Sequence, residues 1–439
     1  GVNLAHDGTN FSAEHALIRN ALRDFGSFPS WNYHYLSGMP FHASPQTAAF
    51  YFTAILDWLA PNELLGMRFG VVLSIVASSL GGYFMARTWG ANQLGALLAA
   101  ILMGGGGAQL GRLWAGHVSF LLAAPYYPFA LSFVHIAICR RSFIAMLAAG
   151  SSLGLAILAG GGWVALNLWL LTSIVAIFLT LSRTQTLFSS PYTSLRTLAL
   201  LGSLPTTGIL MAAAKLLPML AYLPYSSRDM VNYGFAIDRS FLTTPSDLLN
   251  VLISQSTVVL DKAGNGANLW HEFTVYVGII PLFAAIFAII TLRSRATWIL
   301  GCVIVVFAAF AYGPSSPIDL YRLLFEIVPG YENVRIPGRM LSGVWISIVL
   351  LAALGVTVLT RRPILIPLGC LLIGLVFYDI QSVAHSWHQP AEIDEHRIYL
   401  SDDPGELVAG VTSLEISTNE ASTSLFINLE LGNYGNTIW

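Results

Sequence analysis

Apolar residues fall into repeated long runs separated by short polar connections, and each run has roughly the ~20 residues that a helix needs to cross a bilayer core. The runs predict helices near 64–86, 94–111, 118–139, 142–160, 163–182, 197–217, 273–292, 296–313, 340–360 and 363–381. The fold class expected is therefore an all-α polytopic membrane protein with about ten visible transmembrane helices. Ahead of the first run, the stretch from Ser12 to Phe25 puts Leu17, Ile18, Ala21, Leu22 and Phe25 on one helical face, with Ser12 placed to cap it. Such a helix is expected to lie on the membrane surface. The last stretch, Ser422 to Trp439, is strand-like and points to a β-rich segment.

Charge orients this pattern. Arg87, Arg140 with Arg141, Arg183 with Arg196, Arg293 with Arg295, and Arg361 with Arg362 occupy every second connection, and these connections are short. An excess of Arg and Lys marks cytoplasmic loops. The other side then receives 1–63, 112–117, 161–162, 218–272, 314–339 and 382–439, which hold the long polar sequence. Three parts are expected: a first extracytoplasmic loop with interfacial helices (1–63), a transmembrane domain (64–381) with outer loops 218–272 and 314–339, and the start of an extracytoplasmic β-rich domain (382–439). The chain begins at Gly1 in polar sequence without a signal peptide. This leads us to expect a missing first helix, eleven or more in the full chain, and a truncated C-terminal domain.

Composition agrees: 55% of residues are hydrophobic and 10% charged, against about 25% charged in soluble domains. The formal net charge of −2 gives no bulk attraction to nucleic acid. Cys139, Cys302 and Cys370 lie far apart in or beside apolar runs and are expected to be buried thiols rather than disulfide or zinc ligands.

The outer segments carry the candidate chemistry. Asp7, in His6-Asp7-Gly8-Thr9, can serve as a general base or cation ligand; the alternative is a turn-capping aspartate. Trp31, Asn32, Tyr33 and His34 form an aromatic polar stretch suited to the headgroup level. Lys215 lies in an apolar run, where an ionisable group is a functional candidate unless it snorkels outward. Arg228 follows in the same loop. His271-Glu272 stands at the mouth of the next expected helix, where the dipole would favour a carboxylate. His6, Asp7, His271 and Glu272 are candidate ligands for a divalent cation. Arg335 and Arg339 run against the inside bias for positive charge; phosphate recognition explains them, as does pairing with lipid headgroups, Glu326 or Glu332. Arg112 and His117 lie in the short connection that includes Ala115-Gly116-His117.

Several of these stretches together resemble YfhO-like bacterial membrane proteins. Pro29-Ser30-Trp31-Asn32, Gly38-Met39-Pro40-Phe41 and Tyr51 look like that family's first outer loop. Ala115-Gly116-His117 before Pro125 and Pro128, Leu217-Pro218 with Ser227-Arg228, Glu272 with Tyr276-Val277-Gly278, and Arg335-Ile336-Pro337-Gly338-Arg339 follow in the family's order. The resemblance implies a GT-C-type glycosyltransferase architecture in the bacterial cytoplasmic membrane. Its members draw a sugar from a polyprenyl-phosphate donor on the extracytoplasmic face and pass it to a surface glycan or glycolipid. By position, the catalytic carboxylate would be Asp7. Arg335, Arg339, Arg228 or Lys215 would hold the donor phosphate, and Trp31, Tyr33 and His34 would meet the sugar. Asn32, His117 and Glu272 complete the candidate binding set. The segment after about residue 382 matches nothing in that pattern. Two other readings stay open: a transporter or flippase of a lipid-linked saccharide, and a non-catalytic scaffold of an envelope-synthesis complex.

Overall fold

The computed structural model describes residues 8–32, 38–48, 51–62, 64–187, 190–225, 232–238, 241–263, 269–328, 330–387, 409–418 and 425–433. Among them, seven helices are long and apolar enough to cross a membrane: Leu65–Thr88, Gln93–Ala115, Val118–Arg140, Gly162–Leu181, Arg295–Ser315, Pro337–Leu359 and Pro363–Trp387. Pro191–Met211 and Ala213–Tyr225 add one crossing if the pair, bent by 74°, counts as a single span. Phe143–Leu158 and Ile279–Leu292 are shorter apolar helices. Helices stand at all ten expected places, but seven, or eight with the bent pair, are long enough to cross where about ten were expected, and several are broken. The second is interrupted at Gly106, the third between Ala123 and Tyr126, and the sixth at Ala212.

The two ends of the bundle are built differently. At the arginine-bearing end, helices begin with side-chain caps. Asn92 accepts from the Gly95 amide, Ser142 from Ala145, Ser190 from Thr193 and Ser294 from Thr297. Each satisfies an amide that the first turn leaves without a helical partner. Arg196 donates to the Arg141 carbonyl at 3.4 Å and Arg295 to the Ser182 carbonyl at 3.0 Å, so these connections share one end. The helices starting at Val118, Gly162, Ile279 and Leu341 lack a side-chain cap hydrogen bond. The site described below lies at these starts.

The helix Leu341–Leu359 is the core, with every residue from Leu341 to Thr357 buried. It packs against Ile279–Leu292, Gln93–Gly105 and Arg295–Tyr312. Close approach is set by Gly355: a methyl group there would run into the Ala284 carbonyl, as expected where helices meet backbone to backbone. Outward-facing residues of the other helices are apolar, among them Val72, Val76, Leu80, Ile177, Phe283, Ile290, Val305, Leu371 and Phe377. Cys302 and Cys370 belong to this exposed surface rather than to the core. A lipid-facing position is apolar too, so hydropathy alone does not separate the two surroundings.

The first helix begins at Gly8, not Ser12, and Ser12 donates back to the Gly8 carbonyl at 2.7 Å instead of capping. Leu17, Ile18 and Ala21 are buried as expected, whereas Phe25 is 81% exposed. The helix is bolted to Thr53–Leu59: His15 Nδ1 and Asp57 Oδ2 meet at 2.6 Å with both side chains buried. Arg23 donates to the Ala60 carbonyl at 2.7 Å and the Trp58 carbonyl at 3.0 Å, neutralising that helix's C-terminal end.

Residues 388–439 form a separate unit, described by an antiparallel pair, Ala409–Thr418 with Leu425–Asn433, interrupted by an irregularity between Val411 and Ser413.

Candidate functional site

Glu272 does not open a helix. It sits in a four-residue helix, Trp270–Phe273, and the chain then runs extended to Gly278 before the helix Ile279–Leu292 begins. An extended stretch buried in protein must find partners for its backbone. It does so: the amides of Val275, Val277 and Gly278 donate to the carbonyls of Val251 and Leu252, and the Tyr276 carbonyl accepts from the Gly107 amide at 2.8 Å. The expected dipole explanation for Glu272 is therefore replaced by specific partners.

Those partners are two arginines. Arg112, on the buried helix Gly107–Ala115, donates Nη1 to Glu272 Oε2 and Nη2 to the Glu272 carbonyl at 3.0 Å. Arg339 binds the same carboxylate in bidentate fashion, Nη2 to Oε1 at 2.6 Å and Nε to Oε2 at 3.1 Å. Arg339 is held in turn by its backbone: its carbonyl accepts from Asn167 Nδ2 at 3.3 Å, and Asn167 Oδ1 accepts from Tyr331 at 3.2 Å. The loop enters this turn through Ile336 at φ 71°, a left-handed conformation that costs a β-branched residue energy and persists only where surroundings enforce it.

Imidazoles and aromatic rings complete the site. His117 Nδ1 lies 3.2 Å from Arg112 Nη1 and 3.9 Å from Glu272 Oε1. The His117 and His271 rings meet edge to face at 5.1 Å. Trp163 lies under both guanidinium groups, 4.5 Å from Arg339 and 5.3 Å from Arg112, with Phe120 at 5.1 Å from Arg112. Such faces favour desolvated cations. The side chains of Glu272 and Arg112 are 3% and 5% exposed, while those of Arg339 and His117 are 18% and 14% exposed. The site therefore opens on the Arg339–His117 side. Burial alone would push the Glu272 carboxyl up, but Arg112, Arg339 and His117 outweigh it and hold the group well below the usual carboxylate range. One carboxylate against two guanidinium groups leaves the site net positive.

His117, His271 and Glu272 each place a possible ligand atom within 4.8 Å of the others. The donor set would suit zinc in type. However, the Glu272 oxygens already receive three guanidinium hydrogen bonds, so a dication would have to displace an arginine and sit beside another. The residues as arranged do not fit a metal.

The structure thus brings together His117, His271, Glu272 and Arg339 from three distant parts of the chain. It adds Arg112, Trp163 and Phe120. Arg112 carried a legible signal, being an arginine on the side that the charge bias disfavours; Trp163 and Phe120 carried none. Glu326 and Glu332 are not the partners of Arg339: Glu326 pairs with Arg322 at 2.7 Å, and Glu332 accepts from the Gly330 amide. Other candidates stand elsewhere. Arg335 lies over the Phe235 ring at 3.9 Å. Lys215 is buried and donates to the Thr47 carbonyl, which is neither snorkelling nor membership of the arginine cluster. Trp31 is half exposed and Asn32 buried, in a two-residue strand paired with Met39–Pro40. His6, Asp7, Tyr33, His34 and Arg228 lie outside the described residues. A separate apolar cavity of about 580 Å³, lined by Leu22, Phe28, Tyr51, Phe52, Ile55 and Trp58 among others, contains none of the site residues.

No protein-family model matches the chain, and no curated protein matches it. Among solved structures, it is similar to the oligosaccharyltransferase of Archaeoglobus fulgidus. The apo form aligns with TM-score 0.47 and 16% identity over 89% of this chain and 53% of that one. A form tethered to an acceptor peptide containing the NVT sequon gives 0.46 and 16%, over 89% and 52%. A complex with an inhibitory peptide and a dolichol-phosphate gives 0.40 and 15%, over 87% and 52%. The chain spans about half the length of these structures, and similarity of this degree establishes neither their fold nor their activity for it. What stands on its own geometry is a multi-pass helical protein with a buried, net-positive, aromatic-walled site at one end of its bundle.

Proposed function

We propose that the protein is a membrane glycosyltransferase of GT-C type, related to YfhO-like proteins, that takes a sugar from a polyprenyl-phosphate donor on the extracytoplasmic face. The observation that carries this reading is the pair Arg112–Arg339 sharing one carboxylate against Trp163. A lone carboxylate beside two arginines aligns both guanidinium groups yet leaves positive charge to spare, which is what a phosphate group needs. Arg339, the more exposed of the two, meets the donor phosphate; Arg112 and Glu272 fix its plane. The acceptor hydroxyl oxygen bonds to the anomeric carbon as the bond from that carbon to the phosphate oxygen breaks. Negative charge grows on the departing phosphate, where the arginines stabilise it. Asp7 takes the hydroxyl proton as general base, a role typically contributing about 10² to 10⁴-fold. Arg335 and Arg228 are further phosphate candidates, and Trp31, Tyr33 and His34 candidates for the sugar. The acceptor is a surface glycan or glycolipid of a bacterial envelope.

A second reading, flipping of a lipid-linked saccharide, is favoured by the 74° break after Met211 with buried Lys215 just beyond it, since broken helices often form transport sites. One experiment separates the two. Protein in liposomes is given radiolabelled polyprenyl-phosphate sugars and a crude surface-glycan acceptor, with Asp7→Asn and Arg339→Gln run in parallel. Label reaching acceptor with wild type but not with Asp7→Asn, and weakened in Arg339→Gln, supports transfer. Label crossing the bilayer intact supports flipping.

A further inference from the structure

Asp379 is an acid within the candidate span Pro363–Trp387, eight residues before its end, which is about 12 Å along a helix. An ionisable group at such a depth is costly and needs a reason. Its surroundings supply one. Tyr276 donates its hydroxyl to Asp379 Oδ2 at 2.7 Å, and Gln255 donates Nε2 to Oδ1 at 3.0 Å and to the Tyr276 hydroxyl at 3.2 Å. Trp387 donates Nε1 to the Gln255 carbonyl at 2.8 Å. Gly278 stands at φ +84°, and a Cβ there would lie 2.6 Å from Asp379 Oδ2, so only glycine lets the carboxylate approach. Tyr276 lies four residues beyond Glu272 on the extended segment, and its carbonyl holds the first amide of the helix that carries Arg112. The same span's Trp387 packs edge to face on Trp270 at 5.1 Å, two residues before Glu272.

We infer that Asp379 is a positioning residue for the Glu272 site, acting through Tyr276 to set the register of Glu272 against Arg112. A span that contributes no atom to the site thereby fixes both halves of its central ion pair. The inference rests on the anion-binding reading above.

The test uses the full chain in nanodiscs with farnesyl phosphate as probe, measuring its dissociation constant from pH 4.5 to 8. Asp379→Asn keeps the side chain's shape and removes its charge; Tyr276→Phe removes the hydroxyl. Each is expected to weaken binding about ten-fold, the scale of one hydrogen bond to a charged group, and the double variant no more than the worse single. A second readout separates positioning from mere support. A loosened Glu272 regains a more ordinary carboxyl pKa, so binding by the variants gains on wild type as pH falls below about 5, because protonation removes the competing anion, while the probe's own ionisation at about pH 6 is common to all forms. Should Asp379→Asn fail to fold, Trp387→Phe, which loses the Gln255 bond but keeps a ring against Trp270 and Tyr276, is expected to show the same trend more weakly. Binding by wild type, with the same affinity and the same pH profile in every variant, overturns the inference alone. No binding by wild type overturns the anion-site reading and this inference with it.

Discussion

Glu272→Gln is the most informative single substitution. It changes little in shape but leaves Arg112, 5% exposed and covered by Phe120 and Trp163, without a counter-ion. It also sets the Arg112 and Arg339 charges against each other. Removing one partner of a buried ion pair costs about 3–5 kcal/mol. Arg339 is 18% exposed and turns partly to water, so the loss falls chiefly on Arg112. Replacing both members of a buried pair by groups without charge is far cheaper than replacing one. Glu272→Gln with Arg112→Met is therefore expected to recover at least about 2 kcal/mol of the single variant's loss. Equilibrium unfolding in mixed micelles with increasing denaturing detergent measures all three. A Glu272→Gln variant within about 1 kcal/mol of wild type, or a double variant as unstable as the sum of its singles, would refute the view that this network is desolvated and energetically coupled.

The pH dependence of stability should show two opposite signs. Glu272 is held below its ordinary 4.5, so its stabilisation is present above that pH and is lost only as pH falls through its depressed folded value. Glu14 is raised to about 7, burial outweighing the opposing charges of His15 and Lys215; its contribution is complete below 4.5 and lost as pH rises through about 7. Glu14→Gln should flatten the unfolding midpoint between pH 4.5 and 7, and an unchanged slope would count against the assignment. Asp57→Ala strands buried His15 and should cost about 3 kcal/mol, with limited proteolysis cutting the Gly8–Asp24 helix before any other part. Gly355→Ala drives a methyl group into the Ala284 carbonyl and should cost about 1–3 kcal/mol, read as a lower unfolding midpoint; a neutral result would mean that these two helices do not touch.

The spans were legible because a bilayer demands long apolar runs wherever helices cross. Two of their interruptions carried a signal, since Gly106 lies in the run Gly104–Gly107 and Ala124 stands directly before Pro125; the break at Ala212 lies in sequence as apolar as its flanks and carried none. The site was half legible. Glu272, His117 and Arg339 stood out as polar groups beside apolar runs, yet the Arg112–Glu272 bond joins residues 160 apart in sequence, and no local pattern encodes that pairing. Asp379 is legible as a solitary acid in an apolar run, but its partners Tyr276 and Gln255 are not. The His15–Asp57 pair was hidden because each residue reads alone as an ordinary polar position of a surface helix.

The all-round burial of Leu341–Leu359 has a consequence for biogenesis. The span containing it is the most apolar of the seven, yet 89% of its window is covered by protein in the finished bundle. Its apolarity suits the protein core in which it ends and also suits insertion during synthesis. The helices Gln93–Gly105 and Ile279–Leu292 that enclose it emerge from the ribosome earlier, so they must wait in lipid with their inner faces open until it arrives. Arg112 and Glu272 can meet during that interval; Arg339 comes only with the central helix. Closure of the bundle and completion of the site are then the same late event, and a nascent chain halted before residue 337 would hold the carboxylate but only one of its two arginines.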